Sequence, residues 1–138
     1  MPAWICDRCQ RQFGRKGQSH ECAPALSLDE YFSTGPSHER PIYEVVAAFA
    51  DTLGPVVVEP VAVGIFLKRS RTFVELRPMQ KWVALCLTLP GRVTHPRMTR
   101  KPIPYSGRFY CVFNLRTPAD FDDRIQEWMA LAYEQSPG

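Results

Sequence analysis

Cys6, Cys9, His20 and Cys22 stand near the start of the chain as Cys-x2-Cys-x10-His-x-Cys. Thiolate and imidazole are ligands that zinc prefers, and four of them close a tetrahedron with no position left for a catalytic water. The set therefore predicts one structural Zn2+. So short a segment cannot bury enough apolar surface to offset the entropy of ordering it, and the metal would fold it. Five cysteines make an odd count for a disulfide framework, and residues 1–7 contain no apolar run of a secretory kind. A redox pair at Cys6 and Cys9 would sit where a strand meets a helix, and residues 4–17 have no periodicity to provide that junction. The ten-residue interval, broken by Gly14 and Gly17, is also poor material for a base-reading helix. Trp4 and Phe13 should cover the metal, with Arg8, Arg11, Arg15 and Lys16 outside it. Cys86 and Cys111 lie inside apolar runs and read as inert core.

The second chemical signal is charge. The net charge is only +3, yet residues 68–116 carry eleven cations (Lys68, Arg69, Arg71, Arg77, Lys81, Arg92, Arg97, Arg100, Lys101, Arg108 and Arg116) against one acid, Glu75. That segment is locally +10, whereas residues 23–67 and 117–138 come to −5 and −4. Such a split draws anionic ligands to one side of a molecule. Within the basic segment, residues 90–107 form a loop with Pro90, Pro96, Pro102 and Pro104, four cations and His95. Its length and prolines predict an irregular flap over a bound anion. His38 and His95 have no nucleophile or carboxylate that spacing alone would align with them.

These side chains need a frame. Residues 23–35 read as a linker, but Leu26, Leu28, Tyr31 and Phe32 are apolar enough to dock part of it. Ile42, Val45, Val46, Phe49 and Leu53 recur at helical spacing, with Ser37 as the N-cap and Gly54-Pro55 as the stop. The period then shortens. Residues 56–59, 61–68, 71–77, 82–89 and 108–116 predict five strands, too closely linked to be anything but antiparallel. Thr117-Pro118 should cap a second helix with Phe121, Ile125, Trp128, Met129 and Ala132 as its buried stripe. The order predicts an α+β fold, an antiparallel sheet of about five strands with two helices on one face. Domain organisation follows as a zinc finger at 1–25, a linker at 26–36 and the α+β domain at 37–138.

Alternation places Thr72, Val74, Leu76, Val83, Leu85, Leu87, Phe109, Cys111, Phe113 and Leu115 toward the helices. Phe73, Glu75, Arg77, Trp82, Arg108, Tyr110, Asn114 and Arg116 should then show on the other face. Rings interleaved with guanidinium groups suit stacked bases and phosphates.

Residues 64–78, residues 82–90 and the run Asp122-Asp123-Arg124-Ile125-Gln126-Glu127-Trp128 with Ala132-Tyr133 make the chain resemble the bacterial domain-of-unknown-function family numbered 5655. Some members of that family carry a short Cys-x2-Cys and His-x-Cys finger in front of the domain, as here. The resemblance implies fold and architecture. It brings no reaction, and Ile125, Trp128, Ala132 and Tyr133 match as core positions.

The expectation is a binding module for nucleic acid or a nucleotide, with Lys68, Arg69, Phe73, Arg77, Trp82, His95, Arg108 and Tyr110 as ligand residues. A second layer or a dimer interface on the same aromatics would make it a protein-interaction module instead. No phosphate loop, carboxylate pair or nucleophile elbow occurs. An enzyme, a hydrolase or nuclease on a phosphate-bearing substrate, would require Glu75, Arg77, His95 and Tyr110 to meet in one pocket. With no transmembrane run or lipidation signal, a soluble, cytoplasmic protein is expected. Oligomeric state is not legible.

Overall fold

The computed structural model describes residues 4–13, 16–17, 27–61, 64–69, 71–105 and 107–135. His20 and Cys22 lie outside these residues. A two-stranded hairpin, β1 (Trp4–Ile5) and β2 (Gln12–Phe13), precedes α1 (Leu28–Phe32) and α2 (Glu39–Leu53). Then come β3 (Val57–Val61), β4 (Gly64–Lys68), β5 (Thr72–Pro78), β6 (Val83–Leu89), β7 (Ile103–Tyr105), β8 (Arg108–Leu115) and α3 (Asp123–Glu134). The six later strands form one antiparallel sheet in the order β3-β4-β5-β6-β8-β7, and the chain has the α+β fold that the period change predicts. No helix among the described residues is long and apolar enough to cross a membrane.

Ser27 and Glu30 cap α1 reciprocally: Ser27 Oγ accepts from Glu30 N at 3.1 Å and Glu30 Oε1 from Ser27 N at 3.4 Å. This turn falls within the expected linker, and its Tyr31 is buried in the main core, donating a hydrogen bond to the buried carboxyl of Glu39. Burial holds the Glu39 carboxyl above the usual carboxylate range. The N-cap position of α2 is His38 rather than Ser37, with no side-chain cap, while Gly54 ends the helix at φ 137° as expected.

α2 and α3 share one face of the sheet, where Ile42, Val46, Ala50, Ile125, Met129 and Ala132 pack on Ile65, Leu67, Val74, Leu76, Leu85, Leu87 and Phe113. Gly64 is required in β4 because a Cβ there would run into the Leu76 carbonyl oxygen of β5. The start of α3 lies later than expected. Pro118–Asp120 is a separate 3-10 turn, and the α-helix begins after Asp122, whose carboxylate accepts from Ile125 N at 3.0 Å.

One register irregularity changes the faces. Leu67 pairs with Val74 but Lys68 pairs with Thr72, so Phe73 is an extra residue in β5. The bulge turns Phe73 into the helix-side core, where its ring meets Tyr133 edge-on at 5.2 Å, and leaves Thr72 opposite Lys68. Both residues thus depart from the strict alternation expected of them.

Candidate anion-binding surface

The face of the sheet away from the helices is built by register. Glu59, Phe66, Glu75, Cys86 and Val112 stand in one row across five strands, and Arg77, Ala84 and Asn114 in the next. Two polar clusters occupy it.

At the β3–β4 end the N-terminal hairpin lies on the sheet. Glu59 Oε2 takes Lys68 Nζ at 2.7 Å and Arg11 Nε at 3.4 Å, while its Oε1 accepts from Gln12 N at 3.1 Å. Lys68 also donates to the Gln12 carbonyl and stands 4.0 Å over the Phe13 ring, and the Arg11 guanidinium covers Phe13 and Phe66. The three charged side chains are 2%, 5% and 6% exposed for Lys68, Glu59 and Arg11. Lys68 is therefore an internal ion-pair member and not an accessible ligand residue. Burial pulls its ammonium below the usual lysine value, and Glu59 opposes that pull.

In the middle, Tyr110 Oη donates to Glu75 Oε2 at 3.1 Å and Arg77 reaches the same oxygen through Nε at 3.3 Å and Nη2 at 3.2 Å. The Tyr110 ring packs on the small apolar strip Ala84, Cys86 and Val112. Burial drives the Cys86 thiol up to about 11 and raises the Tyr110 phenol further. At neutral pH both groups are protonated, so neither offers a nucleophile or a base. Tyr110 is pinned down rather than presented for stacking.

Three more expected ligand residues serve the helix layer. Arg69 donates to the Tyr133 carbonyl at 3.3 Å with its guanidinium 4.5 Å from the Tyr133 ring, and Arg108 donates to the Gln135 carbonyl at 3.4 Å. α3 has no basic residue in its last turn, and these two arginines supply charge to its negative end from the sheet. His95, with a side chain 4% exposed, joins Asp122 through Nε2 at 2.7 Å, accepts from Arg97 N through Nδ1 at 3.0 Å and packs edge-on against Phe113 and Trp128. It lies on the helix side, away from Glu75, Arg77 and Tyr110, so the four residues of the enzyme reading do not converge.

The loop itself is fastened. Arg97 pairs with Asp120 at 2.9 Å, Arg124 bonds the Thr94 carbonyl, Asn114 N donates to the Arg97 carbonyl at 2.9 Å and Asn114 Nδ2 to Thr99 Oγ1 at 3.1 Å. These bonds lay residues 97–99 along the edge of β8 that β7 leaves open. Ile103–Tyr105 is a regular edge strand where only irregular chain was expected.

What remains at the surface is a strip. Lys81, Arg100 and Lys101 are exposed and make no hydrogen bond or ion pair among the described residues, while the Arg116 guanidinium rests on the Trp82 ring at 5.4 Å and its backbone N–H donates to Asp120 Oδ2 at 2.9 Å. Trp82 sits in the β5–β6 turn, its carbonyl accepting from Met79 N at 2.8 Å and 3.3 Å from His38 Nε2. Trp82, Pro96, Arg97, Thr99, Asn114 and Arg116 line a depression of about 230 Å³. A second one of about 290 Å³ shares Thr99 and is bounded by Val93, Thr94, His95, Met98, Arg100, Lys101 and Pro102. Of the expected ligand residues, Trp82 lines the first depression and His95 the second, while the half-exposed Arg77 stays accessible on the sheet face. Lys81, Arg100, Lys101 and Arg116 are the site residues that the strand-face argument omitted or underweighted, although the charge count contained them.

In the hairpin, Cys6 and Cys9 are both buried in a cluster with Trp4 and Phe13. A tight turn joins them, with Gln10 N donating to the Cys6 carbonyl at 2.8 Å and Gln10 at φ 62°.

Comparison with known proteins finds one family. The model described as "Domain of unknown function (DUF5655)" matches residues 28–136. No curated protein and no solved structure matches.

Proposed function

The chain belongs to the DUF5655 family, described only by its unknown function, and we propose from its own residues that it is a zinc-containing module binding an anionic ligand, nucleic acid or nucleotide. The observation that carries this reading is the sorting of the basic segment. Lys68, Arg69, Arg77, Arg97 and Arg108 are occupied by internal acids or carbonyls, whereas Lys81 next to Trp82 in sequence, and Arg100 and Lys101 at the second depression, are exposed with no ion pair among the described residues, and the Arg116 guanidinium rests on the Trp82 ring. Uncompensated cations around an aromatic floor raise the local concentration of phosphate-bearing ligands and hold them near a stacking surface. An enzymatic role finds no support in protonated Cys86 and Tyr110 or in a His95 committed at both nitrogens.

Zinc belongs to the same proposal. Cys6 and Cys9 fit a metal site by chemistry, burial and a shared turn, with His20 and Cys22 completing the set. The metal would fix the hairpin that Glu59 and Lys68 hold against the sheet, and the residues around it perform no reaction.

The test is affinity for a labelled polyanionic oligonucleotide against salt. The logarithm of the association constant should fall linearly with log salt, at about 0.7 to 0.9 per phosphate neutralised. Affinity indifferent to salt would overturn the reading.

A further inference from the structure

Resting on that reading, we infer that the strip takes single-stranded nucleic acid, with successive bases in the two depressions that share Thr99. The first depression has an aromatic floor that is already organised. The Trp82 carbonyl is held from Met79 N and faces His38, so the turn that carries the indole is fixed before any ligand arrives. Pro96 forms the opposite wall, and Asn114 and Thr99, bonded to each other, close the side between them. The Arg116 guanidinium covering the indole marks that face as one that accepts a flat cation or a base. A base entering there takes the stacking position and leaves Arg116 to the adjoining phosphate.

The second depression has no indole or phenyl floor; its apolar walls are Val93, Met98 and Pro102, with Thr94 and the engaged His95 also lining it and Arg100 and Lys101 at its margin. Thr99 belongs to both, so they are neighbouring compartments of one strip. Bases can enter such compartments only when unstacked and unpaired, as in a single strand or a loop. A duplex keeps its bases inside and offers only phosphates, and no described helix is placed to enter a groove. α2 and α3 are themselves acidic, carrying Glu39, Glu44 and Asp51 against Arg40, and Asp123, Glu127 and Glu134 against Arg124. The partner class is therefore a flexible strand whose phosphates follow Lys81, Arg116, Arg100 and Lys101 while two bases seat between them.

Three probes of equal strand length separate the possibilities: a labelled oligodeoxythymidine, an abasic strand with the same phosphates, and a duplex. The expected result is at least about fivefold tighter binding of the oligodeoxythymidine than of the abasic strand, as the one base stacked on Trp82 would give. The duplex should bind no better than the abasic strand. Trp82→Ala should abolish the difference and Trp82→Phe should keep most of it, each variant being checked for folding by circular dichroism. The wild-type comparison decides without any variant if Trp82→Ala does not fold. Equal, salt-dependent binding of all three probes would overturn the single-strand inference and leave the anion-binding reading standing. No binding of any probe at low salt would remove both.

Discussion

Replacing Glu59 with alanine should unfold the molecule more readily than any other single change on the open face. Its carboxylate neutralises Lys68 at 2.7 Å and Arg11 at 3.4 Å and accepts the Gln12 N–H at 3.1 Å. Lys68 and Arg11 are 2% and 6% exposed, so water cannot take over as their partner. Removing one member of such a buried pair costs about 3–5 kcal/mol, most of it the penalty of an unpaired charge in a poorly solvated place. That is a large share of the about 5–15 kcal/mol by which a domain of this kind is stable. Lys68→Met removes a cation and fills its volume, while Arg11 still partners Glu59, so its cost should be well below that of Glu59→Ala. Urea unfolding followed by circular dichroism measures both. The N-terminal hairpin should become protease-sensitive in Glu59→Ala before the sheet does. A loss under about 1 kcal/mol for Glu59→Ala, the range of a solvent-exposed pair, would refute the argument that the hairpin seals this cluster.

Three further outcomes follow from the packing. Chelation of protein carrying one zinc per chain by metal analysis should lower the urea midpoint of the sheet as well as freeing residues 4–13, because the hairpin covers Glu59 and Lys68; an unchanged midpoint would separate the two units. Asp122 is partly buried, which alone would raise its carboxyl, but the Ile125 N–H, His95 and Arg124 N–H outweigh this and hold it below the usual aspartate value. A depressed folded-state pKa gives stability that is present above about pH 4, the unfolded value, and lost as pH falls through the folded one. Asp122→Ala should flatten that part of the acid-unfolding curve and cost about 1 kcal/mol from the lost N-cap. Tyr31→Phe leaves the Glu39 carboxyl buried without its phenol donor and should cost about 1–3 kcal/mol in thermal or urea unfolding, with no change in oligonucleotide affinity.

Periodicity made the fold class readable because β4, β5, β6 and β8 each have a core-facing set at every second residue and the helices a stripe at every third or fourth. It failed at Phe73, where one bulged residue inverts the parity that a strict count carries forward. β7 was hidden by Pro102 and Pro104, which signal loop although an edge strand tolerates them. Charge was legible as a sum and illegible as a map. Lys68 finds Glu59 and the N-terminal hairpin, and Arg69 finds a carbonyl 64 residues away, partners that no local pattern announces. His95 likewise meets Asp122, 27 residues on. The absence of any basic residue in the last turn of α3 was a usable hint that cations must come from elsewhere, and Arg69 and Arg108 do. Subtracting the engaged Lys68, Arg69, Arg77, Arg97 and Arg108 from the eleven leaves six, and only the fold puts Arg116 on the Trp82 ring and Arg100 and Lys101 at the neighbouring depression.

The sorting of cations into occupied and available groups is tested most directly by one binding assay on two variants. Fluorescence anisotropy of a labelled single-stranded oligonucleotide would be followed against salt for Lys81→Ala/Arg100→Ala/Lys101→Ala/Arg116→Ala and for Arg69→Ala/Arg108→Ala. The first variant should lose affinity and flatten the salt slope by about 0.7 for each phosphate contact removed. The second should keep the wild-type slope while unfolding at lower urea, because its arginines serve the end of α3. A wild-type slope in the first variant, or an equal loss in both, would contradict the account.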